Sequence, residues 1–162
     1  MFRATNLLSP FEKTRLQKLL RGKSADAFVR AAAQFTLGAG TPALLYMERA
    51  LRPHDNAKWT VVTYLPFLWR PQVHMFLKPE VTQDFAARVG HRFRFDYAPR
   101  LDIGVYDSLL DLARQTEQEL AELHPRDRID VQSFIWVVGA YNETDVPQKP
   151  ADGAGQNDRA DG

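Results

Sequence analysis

The chain has no cysteine. Disulfides, thiolate zinc sites, iron–sulfur clusters and cysteine nucleophiles are thereby excluded together, and a reducing compartment fits. Histidine is scarce: His54, His74, His91 and His124 are the whole set, and no two have the i, i+4 spacing of a helical zinc site. No apolar run approaches the roughly 18 residues that a membrane-spanning helix needs. The opening MFRATNLLSPFEK becomes charged too early for a secretory signal. A soluble cytoplasmic protein with no membrane partner is the expectation. The familiar catalytic patterns are missing as well. Gly38 to Gly40 is not followed by Gly-Lys-Ser/Thr, no serine sits in a GxSxG elbow, and there is no acidic-x-Lys pair of the restriction-nuclease kind. Nothing in the composition calls for a cofactor.

What is present describes an ordinary globular chain. With 162 residues, 44% of them hydrophobic and 25% charged, the length suits one domain with a real core. We expect a single domain over 1–141, then a disordered acidic tail over 142–162, where NETDVPQKPADGAGQNDRADG shows no periodicity. The formal net charge of +1 conceals a segregation: residues 1–101 carry 16 Lys+Arg against 7 Asp+Glu, whereas 102–162 carry 5 against 13. Such a split offers either a basic face for a partner or two halves that neutralise each other.

Along the chain, SPFEKTRLQKLLRG begins with Ser9 as N-cap, Pro10 at the first helical position and Glu12 completing a capping box. Phe11, Leu16, Leu19 and Leu20 supply its apolar stripe, and Gly22 ends it. Phe28, Ala31, Ala32 and Phe35 mark a second helix, stopped by glycines. Thr41 and Pro42 repeat the cap-plus-proline signature ahead of a third that runs to Pro53. Residues 58–70 read as helix or strand, with a short helix favoured although Pro66 interrupts it. VHMFL, bounded by Pro71 and Pro79, reads as a strand; PEVTQDFAARVG as a helix from Pro79 to Gly90; and RFRFDY as a half-buried strand. A long helix with Tyr106, Leu109, Leu110, Ala113, Leu120 and Leu123 on one face runs to Pro125. The predicted fold class is α+β: mainly helical, with a small two-stranded element formed by strand, helix and strand.

Several residues could carry function. Arg92 and Arg94 would share one strand face, with Phe93, Phe95 and Tyr97 turned toward the core. Lys13 and Lys18 add a basic surface on the first helix, and His74 and Lys78 flank the first strand. In RDRIDVQSFIWVVG (126–139), Asp127 can cap a helix and Asp130 lies in its positively polarised first turn. That helix is expected to be buried nearly all round and to stop at Gly139. Gln132, one turn in, has an amide that needs partners, either backbone groups or a ligand.

HMFLKPEVT (74–82) and RDRIDVQSFIWV (126–137), with VYDSLLDLARQ and TNLLSPFEK, make the chain resemble a group of bacterial proteins usually recorded as hypothetical. The resemblance covers roughly 5–140 and implies kinship without a reaction or a catalytic residue. The expected function is a non-enzymatic binding or adaptor domain, recognising a protein or, second, nucleic acid through its basic surface. The alternative is a metal-assisted phosphodiesterase or nuclease whose ligands would be His74, Glu80, Asp127 and Asp130.

Overall fold

The computed structural model describes residues 7–140. The tail expected over 142–162 lies outside the described residues, as does the start of the chain before Leu7. Eight α-helices carry the fold: α1 (Pro10–Leu20), α2 (Ala25–Thr36), α3 (Gly40–Leu51), α4 (Trp59–Trp69), α5 (Pro79–Arg88), α6 (Phe93–Asp96), α7 (Ile103–Glu119) and α8 (Arg128–Ala140). No strand occurs among the described residues, so the α+β expectation gives way to an all-helical domain.

The local signals for α1 hold. The Ser9 hydroxyl accepts from the Glu12 backbone N–H at 3.2 Å, and the Glu12 carboxylate in turn accepts from the Ser9 N–H at 2.8 Å. Glu12 does more than a capping box requires. Its side chain is buried, its other oxygen accepts from the Thr60 hydroxyl on α4, and its carbonyl accepts from the Asn56 amide at 3.2 Å. The cap of α1 is thus welded to the start of α4. Phe11 was placed on the buried stripe, but it is 77% exposed; Leu8, outside the helix, fills the core instead.

Helices α2 and α3 form an antiparallel pair around Phe28, Ala31, Ala32, Phe35, Ala43, Leu44 and Met47. Alanines let the two backbones approach. Gly38 and Gly40 take the left-handed φ values of +102° and +59° that turn the chain between them. Thr41 and Pro42 fall inside the first turn of α3 rather than before it. Helix α4 is the hub: Trp59, Val61, Val62, Tyr64, Pro66 and Phe67 are all buried, which explains why its sequence lacks an amphipathic rhythm. Pro66 is tolerated in its second half, and the Arg70 N–H still bonds back to the Pro66 carbonyl at 2.9 Å.

Both expected strands are something else, for different reasons. Residues 74–77 belong to no helix or strand, all four side chains are buried, and no strand lies alongside among the described residues. Their N–H groups find partners outside the segment: that of His74 donates to the Arg70 carbonyl at 3.0 Å, and that of Leu77 to the Thr63 hydroxyl at 3.0 Å. RFRFDY contains the short helix α6. Phe93 and Tyr97, with ring centroids 6.1 Å apart, turn inward at i, i+4, a spacing that a two-residue alternation also satisfies. The residue that tells the two apart is Phe95, which is 75% exposed rather than in the core.

Helix α7 ends at Glu119, short of Pro125; a 3₁₀ turn over Ala121–Leu123 follows and leaves Leu123 exposed. Helix α8 is capped as expected, with the Ile129 N–H donating to Asp127 at 2.8 Å, but it is buried on one side only. Val131, Gln132 and Ile135 face inward, whereas Ile129, Trp136 and Val137 are exposed. It also runs through Gly139 to Ala140. Gly139 serves contact, since a Cβ there would lie 3.0 Å from Val81 Cγ1 on α5.

The Glu12 weld predicts unequal costs for two neighbouring changes. Ser9→Ala removes one cap bond and is expected to lower stability by about 1 kcal/mol. Glu12→Ala also strands the Thr60 hydroxyl in the core and is expected to cost about 2–4 kcal/mol. Urea unfolding of both variants, read as a shift in midpoint at constant slope, checks the order.

Candidate functional site

The extended run delivers His74 into the middle of the molecule. Its Nε2 lies 2.9 Å from the Thr36 carbonyl at the end of α2, and its Nδ1 lies 2.8 Å from the Tyr106 hydroxyl on α7. A carbonyl can only accept, so Nε2 carries the hydrogen and Nδ1 accepts from Tyr106. Arg70 Nη1 also reaches the Thr36 carbonyl, at 3.3 Å. Phe35 stands 5.0 Å from the Tyr106 ring, and Trp59 lies nearly parallel to it. Burial pushes the Tyr106 hydroxyl well above its ordinary range. Burial also lowers His74 below its ordinary value; the Thr36 carbonyl opposes this, and Arg70 and Arg128 add to it. The imidazole is therefore a neutral, fully bonded core group, without an open side for a ligand.

Helix α8 docks beside it. The Arg128 N–H donates to the Pro71 carbonyl at 3.0 Å, and its Nη1 donates to the Val73 carbonyl. Its side chain is largely buried, 3.8 Å from Glu117. Gln132 follows one turn later, and both its amide atoms, together with Arg128 Nε, are buried without a hydrogen-bond partner. The question that the sequence raises at Gln132 therefore stands in the structure too.

The residues proposed for a metal do not converge. His74 is internal, Glu80 is exposed at the start of α5, Asp127 is committed to its cap, and Asp130 is held by Arg126 through three contacts of 2.9 Å. The Arg126 side chain and N–H pull Asp130 down to about 2. Among the described residues no three His, Asp or Glu side chains form a group able to hold a metal ion.

The basic candidates fall into two places. Lys13 and Lys78 line a shallow cavity of about 540 Å³ with Pro10 and Glu80; the Lys78 ammonium stands 4.4 Å over the Trp136 ring. Lys18 is exposed farther along α1. Arg92 and Arg94 sit on α6, where Arg94 lies 4.1 Å over the exposed Phe95 ring and Arg92 pairs with Asp96 at 3.5 Å.

Next to α6 is a groove of about 810 Å³ between α5, α7 and α8. Phe85, Val89, Leu112, Leu120 and Phe134 give it an apolar floor, and Phe85 and Phe134 meet edge to face. His91 and Arg114 also line it, and both bond Asp111; Arg92 approaches the same carboxylate at 3.9 Å. The Phe93 N–H donates to His91 Nδ1 at 3.0 Å, so Nε2 is left to donate to Asp111. Partial burial would raise Asp111, but the His91 bond and the Arg114 charge outweigh it and hold the carboxyl below its usual value. Asp111 thus joins the basic and acidic halves of the sequence and fixes two guanidiniums at one end of the groove. Sequence reasoning gave no role to Asp111, His91 or Arg128 and took Tyr106 only for a core residue of its helix, because the partners that define all four lie far away in sequence.

Two outcomes follow from the His74 node. His74 has a lowered folded value, so its stabilising contribution is complete above an unfolded value of about 6.5 and is lost as pH falls below it, by up to about 1.4 kcal/mol per pH unit. Thermal unfolding between pH 8 and 5 reads this slope, and His74→Gln is expected to flatten it. Tyr106→Phe leaves Nδ1 without its donor in the core, and is expected to cost about 1–3 kcal/mol in urea unfolding at pH 8. In comparisons with known proteins, no family model, no curated protein and no solved structure matches this chain.

Proposed function

We propose that the chain is a non-enzymatic binding domain that takes a segment of another protein into the groove between α5, α7 and α8, with Arg92, Arg94 and Arg114 facing acidic residues of that segment. The observation that carries this reading is the groove itself: an apolar floor between helices with its guanidiniums tethered by Asp111 at one end. A groove of this kind suits an amphipathic helix laying its apolar face inward. Val89, 55% exposed, lies on its edge, where a monomeric surface gains nothing by showing a large aliphatic side chain. A catalytic reading lacks a comparable foothold, because His74, Asp127 and Asp130 serve separate structural bonds and Glu80 lies exposed apart from them.

A second reading has its own observation. Arg94 stacked over the exposed Phe95, with Arg92 at the N-cap of the same short helix, is a surface on which a base could stack while the arginines meet phosphates.

Selection from a displayed library of random peptides about four helical turns long separates the two. The expected result is enrichment of peptides with apolar residues at i, i+3 and i+4 and flanking acids. Their Kd should rise about tenfold or more with Val89→Glu, and Arg92→Ala/Arg94→Ala should weaken binding and its salt dependence. Failure to enrich any such peptide overturns the groove reading. Labelled single-stranded oligonucleotides titrated at two salt concentrations test the other: binding at low salt that Phe95→Ala and Arg94→Ala abolish would assign it, and no binding would remove it.

A further inference from the structure

The inner face of α8 is the least satisfied surface in the described core. Gln132 is buried with both amide atoms unpartnered, and Arg128 Nε, four residues earlier on the same face, is buried without a hydrogen bond, with the Glu117 carboxylate 3.8 Å away. A buried polar atom without a partner regains its hydrogen bonds when water reaches it. Lifting α8 therefore recovers something that opening α2, α3 or α4 does not. Against this stand the burial of Val131 and Ile135, the Phe85–Phe134 contact and the close approach of Gly139 to Val81.

The fastening of α8 is next to a titratable group. Arg128 is tied to the carbonyls of Pro71 and Val73, the latter one residue before His74. The groups that face the imidazole can be followed element by element. Arg70 comes from the end of α4, the Thr36 carbonyl from α2, Tyr106 from α7 and Arg128 from α8. Glu117 lies against Arg128 and Asp107 bears on Tyr106; neither meets the ring itself. A second proton on the imidazole would go to Nδ1, which now accepts from Tyr106. Tyr106 would then have to turn its hydroxyl hydrogen away from the imidazole and accept from it instead. The new positive charge would also share a buried neighbourhood with two guanidiniums.

We infer that His74 is a proton-operated latch on α8: neutral, it lets Arg128 hold the helix against the 71–73 turn, and protonated, it repels Arg128 and lets α8 lift from the core. Because Phe134 of α8 is part of the groove floor, release of α8 dismantles the groove. In that respect the latch regulates the binding site proposed above and rests on that reading. The movement of α8 itself does not depend on it.

The experiment is hydrogen exchange of the free full chain, with no peptide present, as a function of pH between about 8 and 5. Exchange is expressed as protection relative to the intrinsic rate at each pH. Protection of the α8 amides is expected to fall by up to about tenfold per pH unit below about pH 6.5, the signature of one proton taken up on opening. Helices α2 and α3, which open only with the whole molecule, should lose protection with the same slope, because unfolding frees the same imidazole, but should remain better protected than α8 at each pH. His74→Gln should leave α8 protection flat with pH. If α8 is as well protected as α2 at each pH, it opens only by global unfolding, and the latch is wrong; a pH-independent α8 in the natural chain also overturns it. The comparison of helices within the natural chain decides the matter even where His74→Gln fails to fold. A failed peptide selection alongside a pH-released α8 would remove the groove reading and leave the latch standing.

Discussion

Passing four consecutive buried residues, 74–77, through the core without a partner strand is the constraint on which the rest of the structure depends. A stretch without helix or sheet bonding in apolar surroundings carries backbone donors and acceptors that still need partners, and here they come from separate helices. Thr63 of α4 takes the Leu77 N–H and the Arg70 carbonyl that of His74, while the His74 ring fastens itself to the end of α2 and to Tyr106 of α7. Three helices are thus oriented by one segment. That is why α4 is buried on nearly every side and why α7, whose outer face carries the acidic residues, is anchored through a tyrosine rather than by aliphatic packing alone.

The same constraint divides what the sequence makes legible from what it hides. Caps, prolines and alanine-rich stripes act within a few residues, so α1, α2, α5 and the start of α8 could be read from their own letters, including the Asp127 cap and the box of Ser9 and Glu12. What does not carry through is a strand inferred from a short window, whether from the prolines that bound VHMFL or from the alternation of RFRFDY: the first is an unpaired connector and the second a helical turn in which i and i+4 happen also to be even-spaced. A strand requires a neighbour, and no short window contains that neighbour.

For the sites, legibility was mixed in an instructive way. His74, Arg92, Arg94 and Gln132 all attract notice as polar letters among apolar ones, and each turns out to have an unusual setting: fully bonded in the core, pinned at a corner, stacked on an aromatic, or buried without partners. Their roles were not readable, because they are set by residues far away in sequence. Tyr106 is thirty-two positions from His74. Asp111 lies on a helix whose acidic letters look like a solvated face, and only the fold shows that it gathers His91, Arg92 and Arg114. The metal set illustrates the converse. Asp127 and Asp130 are close in sequence to one another, but one is turned to a backbone N–H and the other to Arg126, so proximity along the chain did not become convergence.

The charge segregation acquires a physical sense once the halves are seen to touch. If the basic first part and acidic last part merely neutralised one another, their contacts would be exposed and interchangeable, each contributing little. Asp111 is different in one respect: it accepts from a buried histidine, which holds the carboxylate in place between the exposed guanidiniums of Arg114 and, at 3.9 Å, Arg92. An acidic residue used in this way does not cancel the basic surface. It subtracts one charge and in exchange fixes the direction of those that remain, so a net charge close to neutrality is compatible with a groove that discriminates by charge.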